Sequence, residues 1–290
     1  MRSQAGVRMR LLIAIIGACW LAGAHAGGDL APDVDYLARL MREAELARQP
    51  FPDVARVNPA LNDAVLFEVQ RRYVALRREA GHPLGGFKGG FLPVAPIGGV
   101  LFRDGFLNGT PTIDPGEYVQ LLVEAEIGFE FCAPVSAPLA DVAALRAVVC
   151  RVRAAVELPD AAVHDLAALK ADLPRLRRAL IPNNVATRRV LFGEPVAADT
   201  VDVDAIPVTA RQGETVLGAR DPAKSAGLWQ NVLWVVNEFA LKQGYTVEPG
   251  FVIIPGNLTG IHAGAAGAYT VDYGPLGVVT FTVSAPAAGR

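Results

Sequence analysis

Val123-Glu124-Ala125-Glu126-Ile127, near the middle of the chain, decides how the rest is read. It lies in a long uninterrupted run from Tyr118 to Phe131 that reads as an extended strand. A strand sends alternate side chains to opposite faces, so Glu124 and Glu126 share one face and Val123, Ala125 and Ile127 the other. Adjacent carboxylates repel, and burying that face is costly unless a cation lies between them. The bland alternative is an amphipathic strand with its acidic face in water, where Glu normally sits. Glu130 falls on the same face and is expected to continue it into solvent.

A third acid, Glu157 in Val156-Glu157-Leu158, has the same apolar flanks inside Cys150–Leu158, which alternates like a second strand. Three convergent carboxylates with open positions suit Mg²⁺ or Mn²⁺, whereas zinc favours nitrogen and sulfur. Lys88 is set among glycines in Gly85-Gly86-Phe87-Lys88-Gly89-Gly90. They let the backbone approach a ligand closely and aim the lysine inward, although a lone lysine is ordinarily a surface residue. The spacing fits neither a P-loop nor a dinucleotide fingerprint. His82, His164 and His262 match no metal or triad pattern.

Working outward, residues Asp33 to Gln49 read as a helix ended by Pro50. Asn58, Pro59 and Gly81 punctuate a second helix with an apolar stripe of Leu61, Val65, Val69, Tyr73 and Leu76. The texture changes at Leu84 to short β-like runs broken by Gly, Pro, Asn and Asp. Asp141 to about Val148 and Ser225 to Gln243 read as helices. Leu166 to Leu180 is a helix or an irregular loop crossing the site. Phe251–Pro255, Ala268–Tyr273 and Gly277–Val283 are closing strands. Mixed strands around a few helices predict an α+β roll or distorted barrel, residues 84–290, behind a helical subdomain, residues 27–83.

The chain has 290 residues, of which 52% are hydrophobic and 19% charged, enough to bury a sizeable core and too apolar for global disorder. With a formal net charge of −2 and no basic stripe, no nucleic-acid partner is expected. Arg2, Arg8 and Arg10 precede an apolar run, Leu11 to Ala24, ending in Ala24-His25-Ala26. That is the pattern of a secretory signal peptide over residues 1–26, and an exported, periplasmic protein is expected. The run is short of the ~20 residues of a membrane span, so no stable span is expected. Ile16-Gly17-Ala18-Cys19 is a second reading, a lipoprotein box with Cys19 as the lipidated residue. Cys132 and Cys150 are either bridged after export or two small buried side chains.

Taken together, six segments in order resemble the fumarylacetoacetate hydrolase superfamily, in its 2-keto-4-pentenoate hydratase and 4-oxalocrotonate decarboxylase branch. They are Gly86-Phe87-Lys88-Gly89-Gly90, Gly99-Val100-Leu101-Phe102-Arg103-Asp104, Glu124-Ala125-Glu126, Glu157-Leu158-Pro159-Asp160, Gly256-Asn257-Leu258-Thr259 and Asp272-Tyr273-Gly274-Pro275-Leu276-Gly277. The resemblance implies a fumarylacetoacetase-type β-roll with Mg²⁺ or Mn²⁺ on Glu124, Glu126 and Glu157. It also implies a hydratase acting on a small 2-keto acid. By the same resemblance Lys88 orients the substrate carboxylate or transfers a proton, and Asp104 positions Lys88 or the water. Asn257 and Thr259 line the substrate pocket, and the protein is a homo-oligomer.

Departures fall in the substrate half of the pocket. Phe91-Leu92-Pro93-Val94-Ala95-Pro96 lacks the family's Ser/Lys stretch, and a Ser-Asp-Asn segment reads Pro182-Asn183-Asn184. Asn257 replaces a serine, and Arg220-Asp221-Pro222 replaces a His-Pro segment. Alternatives are therefore a decarboxylase of the same branch, an acylpyruvate hydrolase, or a non-catalytic exported binding relative.

Overall fold

The computed structural model describes residues 33–224 and 227–286. The expected signal peptide and Cys19 lie outside them. Among the described residues no helix is long and apolar enough to cross a membrane.

Three helices come first: α1 (Val34–Ala47), α2 (Val54–Val57) and α3 (Asp63–Glu79). α1 is capped by Asp33, whose side chain accepts from Tyr36 N, and ends on Arg48 in a left-handed conformation. The helix expected from Asn58 starts later. Asn58 closes α2 and accepts from Ala60 N in a local turn, while Asn62 caps α3 by accepting from Val65 N at 3.1 Å. Both asparagines can cap, and Asn62 is the one placed three residues before an amide that needs a partner. Buried Ala38, Met41, Leu66, Val69 and Tyr73 join the same hydrophobic cluster as the sheet residues Val123, Ile127 and Val156.

The strands that follow are β1 (Leu84–Phe91), β2 (Pro96–Phe102), β3 (Phe106–Asn108), β4 (Thr112–Ile113), β5 (Leu122–Phe131) and β6 (Val149–Leu158), with α4 (Val142–Val148) between the last two. After β6 come α5 (Leu166–Lys170), α6 (Leu173–Leu180), β7 (Arg189–Phe192), β8 (Val196–Ala197), β9 (Val208–Gln212) and β10 (Thr215–Arg220). The chain closes with α7 (Leu228–Trp234), β11 (Val252–Ile254), β12 (His262–Ala263), β13 (Gly267–Asp272) and β14 (Val278–Val283). The larger sheet runs β2-β1-β11-β5-β6-β7-β3, with β12 added to β5 and β8 to β6; the smaller runs β10-β9-β13-β14-β4.

Three expected boundaries move. The strand expected from Tyr118 begins at Leu122, because Val119 N and Gln120 N donate to the Asp160 carboxylate instead of to a neighbouring strand. The segment 166–180 breaks into two helices at Asp172, which caps α6 with Pro174 in its first turn. α7 continues as a π-helix through Val235–Ala240; Ser225 and Ala226 of that expected helix lie outside the described residues. Cys132 and Cys150 form a disulfide between the end of β5 and the start of β6, with their Cα atoms 5.8 Å apart.

β5 and β6 are ten residues each and lie in the middle of the larger sheet. Both of their faces are covered, so Ala125, Ile127, Ala154, Ala155 and Val156 are all buried. The two sheets are tied together at Tyr273, whose buried hydroxyl donates to the Ala155 carbonyl on β6.

Candidate metal centre and its cavity

The β5–β6 register sets Glu124 directly opposite Glu157, and Glu126 opposite Ala155. Each of the three glutamates offers a carboxylate oxygen, and these atoms lie within 4.8 Å of one another. Glu126 and Glu157 are buried and Glu124 is half-buried. Like charges directly opposite on a strand pair are destabilising, so this arrangement opposes the stability of the fold.

The electrostatics say the same. Burial pushes the Glu157 carboxyl up to about 7, with Glu124 adding to the rise and Lys88 opposing it. Glu126 is held well above the usual carboxylate range, by burial and then by the Glu157 charge; Lys88 and the Gly256 N–H, 2.7 Å away, pull it back. Glu124 is raised by burial against the opposing pull of Lys88, Lys170, His262 and the Asn257 side chain. A divalent cation removes the repulsion that these shifts express. An all-oxygen carboxylate set is what Mg²⁺ and Mn²⁺ take, so the residues present fit such an ion.

Lys88 completes the floor. Its Nζ is 2.5 Å from both Glu157 carboxylate oxygens and donates to the Val185 carbonyl at 3.2 Å. Burial alone would lower its affinity for a proton, but Glu157, Glu124 and Glu126 outweigh it and the ammonium is held more firmly than usual. Gly99 pairs with Lys88 across β1–β2, and a Cβ there would lie 2.8 Å from the Asn184 carbonyl oxygen. The glycine lets residues 183–187 lie against β2, where the Asn184 side chain grips Val100 through its N–H (2.7 Å) and carbonyl (2.8 Å).

Asn184, Val185 and Ala186 all have left-handed φ, at 58°, 55° and 58°. A β-branched residue there is strained by roughly 1–3 kcal/mol. The bend is what turns the Val185 carbonyl onto Lys88. Only the Asn183-Asn184 pair, residues that tolerate this conformation, marks the bend in sequence.

A cavity of 740 Å³ opens beside Lys88 and Glu124. Asn257 lines it, its side-chain oxygen accepting from Thr259 N and Gly260 N. Thr259 is buried nearby with its hydroxyl unpartnered among the described residues. Two sequence expectations need correction. Asp104 does not meet Lys88: the turn Arg103–Gly105 carries it past the end of β2, where it pairs with His82 at 2.7 Å and lines a separate cleft. Glu130 does not run into solvent: it is buried between Arg151 and Arg153, which the register brings to it.

No protein-family model and no curated protein matches the sequence. Solved structures do match in fold. The chain is similar to 4-oxalocrotonate decarboxylase from Pseudomonas putida G7, complexed with magnesium and adipate, at TM-score 0.77 and 20% identity, over 86% of this chain and 97% of that one. It is also similar to 2-hydroxyhepta-2,4-diene-1,7-dioate isomerase from Mycobacterium marinum, at TM-score 0.53 and 13% identity, over 72% and 78%. A third likeness is to 5-carboxymethyl-2-hydroxymuconate delta-isomerase from Mycobacterium smegmatis, at TM-score 0.51 and 13% identity, over 70% and 82%. The chain shares the fold of these enzymes, an α+β architecture with a curled sheet and an N-terminal helical segment.

Proposed function

We propose that this chain is a metal-dependent enzyme of the fumarylacetoacetate hydrolase superfamily. In this reading it is a hydro-lyase on a small 2-keto or 2-hydroxydienoic acid such as 2-hydroxypenta-2,4-dienoate. One observation carries the reading: two buried carboxylates, a half-buried third and a buried lysine cluster beside a ligand-sized cavity that Lys88 and Glu124 line, against the stability of the strands that hold them. A divalent cation on Glu124, Glu126 and Glu157 supplies Lewis acidity towards the carboxylate and 2-oxo oxygens of the substrate.

The chain's own residues do the rest. Lys88, fixed by Glu157 and the Val185 carbonyl, orients the substrate carboxylate or passes a proton at Nζ. The cavity's apolar side chains, among them Leu122, Ile97 and Leu258, keep bulk water from the charge that develops on the 2-oxo oxygen. Hydration moves one proton along the conjugated chain and adds water across the remaining alkene, with no change in oxidation state overall.

Decarboxylation is the second reading, favoured by the greater likeness to the decarboxylase than to the isomerases. Assays of 2-hydroxypenta-2,4-dienoate, 4-oxalocrotonate and an acylpyruvate, each with and without Mg²⁺, separate the readings. Mg²⁺-dependent loss of the dienoate supports hydration, and CO₂ release supports decarboxylation. Turnover of none, with tight Mg²⁺ binding, points to a non-catalytic binding protein. Lys88→Ala should lower kcat about 10²–10⁴-fold if Nζ carries a proton.

The Cys132–Cys150 disulfide supports the export reading, since such bonds persist in oxidising compartments. Recovery of both thiols unpaired from freshly isolated protein would remove that support.

A further inference from the structure

We propose that the separate cleft at Asp104 is a second binding site, for a small carboxylate of single charge, and that its occupant braces the bend that holds Lys88. The cleft has a volume of about 190 Å³ and lies between the later turns of α1 and α3 and the segment 183–189. It is smaller than the roughly 300–1,000 Å³ of pockets for drug-sized ligands, so an occupant has only a few heavy atoms. The inference stands on this cleft's own geometry and does not depend on the reaction at the larger cavity.

Four guanidinium groups line it, and one is left over. Arg77 meets Glu45 at 3.3 Å, Arg188 approaches Asp160 at 3.8 Å, and Arg189 meets Glu117 at 2.7 Å. Asp104 is taken by His82. Arg48 has no carboxylate among the described residues; its guanidinium reaches the Gly116 carbonyl at 3.5 Å. One negative charge completes the set.

Hydrogen bonding is unbalanced in the same sense. Arg77 Nε, Arg188 Nε, Asn183 Nδ2 and Thr187 Oγ1 are buried without a partner among the described residues, and all four belong to side chains that line this cleft. The first three can only donate. Asn183 is the clearest. It is 2% exposed, and its Oδ1 accepts from Ala186 N at 3.1 Å, which orients the amide and leaves Nδ2 over. A buried donor with no acceptor opposes folding. A carboxylate presents acceptors only and matches guanidinium forks, so it answers both imbalances at once.

The bend links this cleft to Lys88. Asn183 and Thr187 flank the three left-handed residues 184–186, and Ala186 lines both cavities. Between them the Val185 carbonyl receives Lys88 Nζ at 3.2 Å. A guest that accepts from Asn183 and Thr187 holds both ends of the bend, and with them the carbonyl that Lys88 uses.

The test is calorimetric titration of the full chain with acetate at pH 8, with inorganic phosphate as the comparison of higher charge and chloride holding ionic strength constant. EDTA keeps the three glutamates from presenting a cation to the probe. Acetate should bind the wild type saturably and slow hydrogen exchange at residues 184–187. Asn183→Asp keeps the acceptance from Ala186 N but sets an anionic oxygen where the donor stood, and should abolish binding. Arg48→Gln should weaken it about tenfold. Arg48 is exposed and lines this cleft but not the larger cavity, so its effect locates the guest. Circular dichroism establishes that the variants are folded; should Asn183→Asp fail to fold, Arg48→Gln decides alone. Any of four results overturns the proposal: no saturable binding of acetate, unchanged affinity in either folded variant, tighter binding of phosphate, or exchange at 184–187 that acetate does not slow.

Discussion

Each of the three glutamates sits where a lone carboxylate would be unfavourable, and Lys88 only partly offsets them. Lys88→Met should therefore destabilise the metal-free protein by about 3–5 kcal/mol, since it strands Glu157 as an uncompensated buried charge. Urea titration in EDTA measures this, and a loss under about 1 kcal/mol would contradict the pairing. The positions of Glu124, Glu126, Glu157 and Lys88 were legible because a period of two and a run of glycines are local signals. Glu130 and Asp104 were misjudged because their partners are distant in sequence. Arg151 and Arg153 reach Glu130 through strand register, and His82 reaches Asp104 across a turn at a sheet end. The Val185 carbonyl depends on a left-handed bend that a valine does not advertise.

At the scale of elements, β5 and β6 carry the conflict between stability and function. Replacing Glu124 by Gln removes the like charge facing Glu157 and should stabilise the metal-free protein at pH 8 by about 0.2–1 kcal/mol. The same substitution should shrink the Tm increase produced by Mg²⁺. A variant that gains stability yet keeps the full Mg²⁺ effect would dissociate Glu124 from the metal. The α5–α6 pair is a different kind of element. α5 and α6 bury little beyond their own cluster, so their amides should exchange with solvent faster than those of β5 and β6. Equal protection, read by hydrogen exchange, would mean that α5 and α6 are part of the rigid core. The long strands and α1 were readable from apolar period and caps. The boundary of α3 was not, because Asn58 and Asn62 are equivalent as cap residues and only the tertiary path chooses between them.

For the molecule as a whole, the α+β architecture followed from the change of texture at Leu84. The pairing of β1 with β11, whose partners lie 166 residues apart, was not legible, because sheet order is set by non-local contacts. The buried acids make global stability depend on pH. All three carboxyl groups are raised in the folded state. Their protonation thus stabilises the metal-free fold below the ordinary Glu range, and this is lost as pH rises through about 7, the value for Glu157. Mg²⁺ competes with those protons, so the Tm gain from Mg²⁺ should grow between pH 5 and pH 8. A gain that is flat or falls with pH would place the ion elsewhere. The most direct measurement is Mn²⁺ or Mg²⁺ titration of the wild type and Glu126→Gln by calorimetry, with circular dichroism to establish that both are folded. One ion per chain should bind the wild type, and binding should be lost in the folded variant. Unchanged affinity in Glu126→Gln would show that the three glutamates do not hold the metal.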